Sequence, residues 1–223
     1  IVTRSQDVQY LTGYQSPRDD VPVGCLIPVD ESPRLLVSES QHDLVAQENL
    51  LSRLVSYKDN NEQMWHPLHN QSFWNNVVDL VDEQALSDGM IGLQHEWLTI
   101  KEFDLLKDML PKAGFKDFSS VLWRMREVKD AIEIDAIIQA VRIAEIGLRT
   151  ALEVVAAGKT ESEASVEIEA AMRSAGGQLR GIRAAVLSGL KAPYRFAQPT
   201  SARIDKDSPV IVDITVSHTG YFA

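Results

Sequence analysis

Hydrophobic positions in the first ~120 residues fall into short runs of two kinds. Runs dense in β-branched and aromatic side chains, at residues 8–11, 23–29, 34–37, 54–57 and 90–93, predict strands. Between them, residues 41–51, 72–81 and 99–110 repeat their apolar positions every three or four residues and predict helices. Thr99 stands where an N-cap is needed, and Glu102 three residues on completes a capping box. Residues 59–70 are polar around Trp65 and Pro67 and read as a surface loop. Strands alternating with helices in this way predict an α/β domain over residues 1–121.

The pattern lengthens after that. Ile134, Ile137, Val141, Ala144, Leu148, Leu152 and Val155 form an apolar stripe within a long helix predicted from 128 to 157, ended by Gly158. Thr160 with Glu163 opens another helix, striped by Ala164, Ile168, Ala171, Met172 and Ala175 and closed at Gly176-Gly177. Strands are predicted at 182–187 and 210–216. A second domain is therefore expected over residues 122–223.

Composition narrows the function classes. Apolar residues make up 44% of the chain and charged ones 24%, an ordinary balance for a soluble globular protein. No apolar run reaches the roughly 18 residues of a membrane span. A net charge of −10 argues against a nucleic-acid backbone as partner. The single cysteine, Cys25, sits in an apolar run and reads as an inert core residue; a reducing cytoplasm is the compartment expected. The chain opens on Ile1 with no signal peptide in view, and an earlier segment is expected.

Most chemistry-bearing clusters have a plain reading. His66 and His69 lie in a Pro-containing loop without a third ligand, and His95-Glu96 lacks the second His of a zinc helix. Glu161, Glu163, Glu167 and Glu169 crowd the start of a helix, where the dipole favours negative charge. Asp213 is different. It interrupts the run Val210, Ile211, Val212, Ile214, Val216, which reads as a strand apolar on both faces, and an unpaired charge buried there costs several kcal/mol or so. His218-Thr219-Gly220 reads as a hairpin turn. Centred between His218 and Thr219, it sets Asp213 opposite position 224. A carboxylate there could share a two-metal site with Asp213. The alternative is a salt bridge to Arg195 or Arg203.

Several stretches then resemble one family in the right order. Tyr10-Leu11-Thr12-Gly13-Tyr14 is similar to the opening of creatinase-type N-terminal domains. Arg124 to Asp130 with Glu133-Ile134, the Gly158-Lys159-Thr160-Glu161 turn, Ser188-Gly189, and Val212-Asp213 through Gly220-Tyr221 resemble motifs of the pita-bread metallopeptidases, the group of creatinase, prolidase and aminopeptidase P. The resemblance implies a creatinase-type α/β N-terminal domain followed by the first part of a pita-bread α+β catalytic domain. It implies a metal-dependent hydrolase like Xaa-Pro dipeptidase or aminopeptidase, cleaving a peptide or peptide-like C–N bond. Asp213 would be the first of five ligands to two divalent ions (Mn, Co or Zn), and the second would follow Ala223 directly. A homodimer is implied as well.

Three departures qualify that expectation. Phe196 stands in the slot of a substrate-binding His, and Phe cannot donate a hydrogen bond; it is a candidate for lining an apolar substrate pocket. Lys191 replaces the usual Asn, and Thr215 the usual Gly. They leave open a relative acting on a small non-peptide amide, or an inactive binding module of the same fold.

Overall fold

The first apolar run is helical, where a strand is predicted. In the computed structural model, which describes residues 1–18, 21–47, 53–58, 70–194 and 196–223, Ser5–Thr12 forms helix α1. Val8 and Thr12, one turn apart, face the core together, and Gly13 ends the helix at φ 80° with its N–H on Gln9 O. Tertiary contacts outweigh the β propensity of Val8, Tyr10 and Leu11. The buried Asp7 carboxylate accepts from Gln94 Nε2 at 2.7 Å and from Arg126 at 2.6 Å, and only a helical turn delivers it there beside a buried Val8.

The chain divides into two units, Ile1–Val128 and Lys129–Ala223. In the first, β1 (Gly24–Leu26) runs antiparallel to β2 (Arg34–Ser38), and β2 runs parallel to β3 (Arg53–Tyr57). The run predicted at 23–29 pairs over only three residues, because Pro28 has no N–H to offer. Every residue of β2 is buried. Its alternation sends Leu35 and Val37 to a cluster with Val8, Cys25 and Leu122, and Leu36 to a larger one around Phe73 and Trp74. Helix α2 (Glu39–Val45) follows β2; residues 48–51 of its predicted length lie outside the described residues, as do 59–69 of the predicted loop. Helix α3 (Asn70–Glu83) supplies the Phe73–Trp74 edge-to-face pair, 5.1 Å between ring centres.

A parallel pair, β4 (Met90–Leu93) and β5 (Gly114–Asp117), is joined by α4 (Ile100–Met109). Thr99 caps α4 with the expected box: its hydroxyl accepts from Glu102 N at 3.2 Å while Glu102 accepts from Thr99 N at 2.9 Å. Replacing Thr99 with Ala is expected to cost about 1 kcal/mol, read as a lower denaturant midpoint. Neither β5 nor helix α5 (Ser119–Glu127) is foreseen from the sequence; α5 buries Leu122 in the first unit.

In the second unit α6 (Ala131–Val154) starts at Asp130, which forms a capping box with Glu133. Its buried face keeps only part of the predicted stripe, Ala144 and Val155, which pack on the core. Ala140, Ile143, Gly147 and Ala151 turn inward, whereas Ile134, Val141 and Leu148 are exposed and Leu152 is 88% exposed. Close packing decides the rotation. Helix α7 (Glu161–Ser174) comes so near that a Cβ on Gly147 would lie 2.7 Å from Met172 Sδ, so the small residues must face it. On α7 the predicted stripe holds, with Ala164, Ile168 and Met172 buried. These pack on β6 (Arg183–Ser188), which pairs antiparallel with β7 (Val210–Thr215).

Candidate functional site

Strand β7 is apolar on one face only. Val210, Val212 and Ile214 pack on the second unit's core, while Ile211 and Asp213 face outward. Asp213 is therefore half exposed, not sealed among hydrophobic neighbours as the sequence pattern suggests. The apolar run misled because Ile211 adds to it without being buried. The Asp213 carboxylate accepts from Arg183 at 2.9 Å, with the two side chains 49% and 40% exposed. In the β6–β7 register Asp213 faces Ala185 and Arg183 faces Thr215, so this is a diagonal cross-strand pair. Among the described residues its partner is Arg183, not the Arg203 of the sequence reading. Arg203 donates to Gly158 O instead, and Arg195 lies outside the described residues.

The hairpin turns one residue later than expected. Thr219 and Gly220 both take positive φ, 46° and 82°, forming a two-residue turn that matches the strand twist. In this turn β8 (Ser217–His218) pairs with β9 (Tyr221–Phe222), and Val216 and Ala223 exchange backbone hydrogen bonds at 2.9 and 3.0 Å. With Val216 paired to Ala223, the direct pairing of Asp213 with position 224 that a turn centred one residue earlier requires does not hold. Two bonds brace the turn: Gly220 N donates to Gln178 Oε1 at 2.9 Å and Tyr221 OH to Glu133 Oε1 at 3.0 Å.

At the other end of β6 lies a group the sequence reading passed over. Glu161, counted among the dipole-favoured acids, is fully buried. Its Oε1 accepts from Ser188 N and Oγ at 2.9 and 3.0 Å; its Oε2 accepts from Lys191 Nζ and from Thr200 N and Oγ1 at 2.9 and 3.0 Å. Burial acts to raise its pKa, but the bonds from Lys191, Ser188 and Thr200 outweigh it and hold the carboxyl at about 2. Lys191, shortly after Ser188-Gly189, was the available signal, since a lysine placed there calls for an acid. The other three acids part ways: Glu163 completes the Thr160 capping box by accepting from Thr160 N at 2.8 Å, Glu167 pairs with Lys159 at 2.7 Å, and Glu169 accepts from Ala184 N at 3.0 Å.

A folded pKa below the ordinary 4.5 means Glu161 adds stability above that pH and loses it as pH falls toward about 2. Glu161→Gln is expected to flatten the loss of denaturant resistance of the second unit across that interval, measured as unfolding midpoint against pH.

Phe196, the candidate pocket residue, is 82% exposed on the loop between Ser188 and Thr200. Leu190 and Tyr194 on the same loop are exposed too. His66 and His69 lie outside the described residues, and His95 packs edge-on against Phe103. Among the described residues no three His, Cys, Asp or Glu side chains gather as a metal would need. Cys25 is buried, with burial pushing its thiol up to about 11, in keeping with an inert core role. No helix among the described residues is long and apolar enough to cross a membrane.

Comparison with known proteins agrees with this layout. The family model of the Creatinase/Prolidase N-terminal domain matches residues 1–128, and that of Metallopeptidase family M24 matches residues 135–223. The chain is 27% identical over 175 residues to an uncharacterized hydrolase/peptidase, y4tL, of Sinorhizobium fredii, covering 76% of this chain and 44% of that protein. It is 23% identical over 221 residues to the Xaa-Pro dipeptidase of Pyrococcus horikoshii, covering 99% of this chain and 56% of the relative. Among solved structures, the X-Pro aminopeptidase from Thermotoga maritima superposes with a TM-score of 0.79 at 20% identity, over 100% of this chain and 59% of that one. The prolidase from Pyrococcus furiosus gives 0.78 at 18%, over 99% and 62%. These likenesses show a shared fold, and the chain spans about half the length of the curated relatives it matches. The chain belongs to the creatinase/prolidase family, a pita-bread member with its N-terminal domain joined to a portion of the M24 metallopeptidase domain.

Proposed function

We propose that the full-length protein is a metal-dependent hydrolase of the Xaa-Pro dipeptidase and aminopeptidase type, cleaving a peptide or peptide-like C–N bond. The observation that carries this is the placement of Asp213. A half-exposed carboxylate stands on the outer face of β7, before a braced two-residue turn and inside the stretch that matches the M24 family, and it already holds a cation at 2.9 Å. A hard carboxylate oxygen of this kind suits Mn, and Co or Zn accept one within a mixed ligand set. Asp213 supplies one ligand, and the other ligands come from the part of the relatives' length that this chain does not span. When bound, a pair of divalent ions supplies a nucleophile at neutral pH and polarises the scissile carbonyl.

Arg183 neutralises Asp213 and must turn aside to free its oxygens; its 40% exposure gives it room. Ala185, opposite Asp213, brings no polar group that would compete for its oxygens. Phe196 offers apolar contact and no hydrogen bond, which shifts recognition from substrate carbonyls toward substrate side chains. The protein works as a cytoplasmic homodimer on peptides or small amides, without nucleic acid or membrane.

A second reading has one observation in its favour. The Arg183–Asp213 pair already satisfies the carboxylate, as suits a binding module of this fold without activity. Assay of the full-length protein with Xaa-Pro dipeptides and tripeptides under saturating Mn²⁺ or Co²⁺ separates the two. Turnover abolished by chelation is expected; a metal-free, folded protein that turns over none of them belongs to the second reading.

A further inference from the structure

Helix α6 carries two apolar faces, and among the described residues only one of them is covered. Ala140, Ile143, Gly147 and Ala151 are buried, with Ile143 and Ala151 in the core of the second unit and Gly147 against Met172. The close approach of α7 selects small residues for that face and leaves larger aliphatic ones outside it. Ile134, Ile138, Val141, Leu148 and Leu152 are 42–88% exposed. At 3.6 residues per turn these side chains fall within about 80° of one another, roughly a third of a turn from the buried face. They form one ridge about 27 Å long, from Ile134 to Leu152. Glu145 interrupts the ridge, and Arg142 and Arg149, both exposed, stand along one edge of it. A continuous apolar ridge of this length, rimmed by charge, marks an interaction surface.

We infer that this ridge is the seat of an amphipathic helix supplied by the chain beyond residue 223 in the full-length protein. Length and area select that occupant. The match to the M24 family covers residues 135–223, so nearly the whole ridge lies inside that domain. The relatives carry much more chain than is matched here, since 221 residues span 56% of the Pyrococcus horikoshii dipeptidase. A second copy fits less well. Five aliphatic side chains bring on the order of 500 Å² to an interface, short of the roughly 800 Å² per partner of a stable dimer. A helix of the same chain is held nearby by its own connection and needs no such area. The ridge also fixes the chemistry of the occupant. It is a helix of about 18 residues, apolar at three- and four-residue spacing, that packs ridge into groove on α6. A Lys or Arg of that helix faces Glu145, and acids along its edge face Arg142 and Arg149. The seat holds whether or not the domain is catalytic.

The test uses the full-length protein made with photo-leucine in place of leucine, mixed from equal parts of light and isotopically heavy chains. Irradiation is expected to join Leu148 and Leu152 to residues beyond 223 within one chain. Products that join a light chain to a heavy one at these positions place a second copy on the ridge and overturn the assignment. Products confined to residues 1–223, or none from either leucine, overturn it as well. Accessibility is read separately on the Leu152→Cys variant. Its new thiol is expected to react with a maleimide about 100-fold more slowly in the folded protein than in the unfolded one, at every protein concentration from about 0.1 to 100 µM. A rate within about 2-fold of the unfolded one overturns the docked helix, and a slowing that vanishes on dilution overturns its origin in the same chain. Hydroxyl-radical footprinting of the unaltered protein keeps the test open if that variant does not fold. Leu148 and Leu152 are expected to be oxidised about 10-fold more slowly than in the unfolded chain, and equal rates overturn the seat.

Discussion

Asp213→Ala in the full-length protein is expected to lower metal-dependent hydrolysis about 10³-fold, the equivalent of about 4 kcal/mol at the transition state, and to leave the fold standing. The two halves of that expectation come from different features. Activity would fall because the proposed metal site would lose one of its carboxylate ligands. Stability is spared because Asp213 is 49% exposed and its pair with Arg183 is the half-exposed kind, worth about 0–1 kcal/mol. Removing it strands no buried charge, since Arg183 can turn to water. A large drop in melting temperature alongside lost activity would mean that Asp213 is a structural ion-pair partner first. Kinetics and thermal unfolding measured on one preparation check both halves.

Gly181→Val is expected to do the opposite, damaging stability first. Gly181 lies in the 3₁₀ turn that leads into β6, and a Cβ there would run into the Ser217 Oγ and Cβ and come within 2.9 Å of Ser217 N. Ser217 cannot step back. It is buried, its carbonyl accepts from Gln178 N at 2.9 Å, and it begins the hairpin that continues β7. Overpacking against backbone costs about 3 kcal/mol, which lowers the midpoint by on the order of 10 °C. Gly158→Ala is the control. There φ is +87° and nothing lies within 4 Å, so only backbone strain of about 1 kcal/mol is incurred. Equal losses at the two glycines, read by calorimetry, would refute the close approach.

Much of this architecture is legible from residue patterns, and the failures have physical causes. Capping boxes at Thr99 and Thr160 are local, requiring only one side chain and the next turn, and both form. The α7 stripe also survives, since Ala164, Ile168 and Met172 are its strongest apolar period. On α6, apolar residues surround the helix too widely for periodicity to choose, and the choice falls to Gly147, whose missing side chain admits Met172. Helix α1 reads as a strand because Val8 and Tyr10 favour one, while the contacts that decide it, Asp7 with Gln94 and Arg126, lie some 90 and 120 residues away.

The candidate site divides the same way. Asp213 can be picked from the sequence as the one charge in an apolar strand, although the argument for burial fails: β7 turns Ile211 and Asp213 outward together. Arg183 as its partner requires the β6–β7 register, which no residue pattern supplies. Glu161 is the clearest omission. Its neighbours Glu163 and Glu167 do what a helix-start acid is expected to do, and only the return of the 188–200 loop distinguishes it.

Direct titration of the purified, metal-free full-length protein with Mn²⁺, followed by the loss of the free-ion electron paramagnetic resonance signal, tests the role of Asp213 without any substrate. The expected result is about two ions bound per chain by the wild-type protein, with Asp213→Asn losing at least one of them or weakening it about 100-fold at unchanged melting temperature. Identical stoichiometry and affinity in the two proteins would contradict Asp213 as a metal ligand.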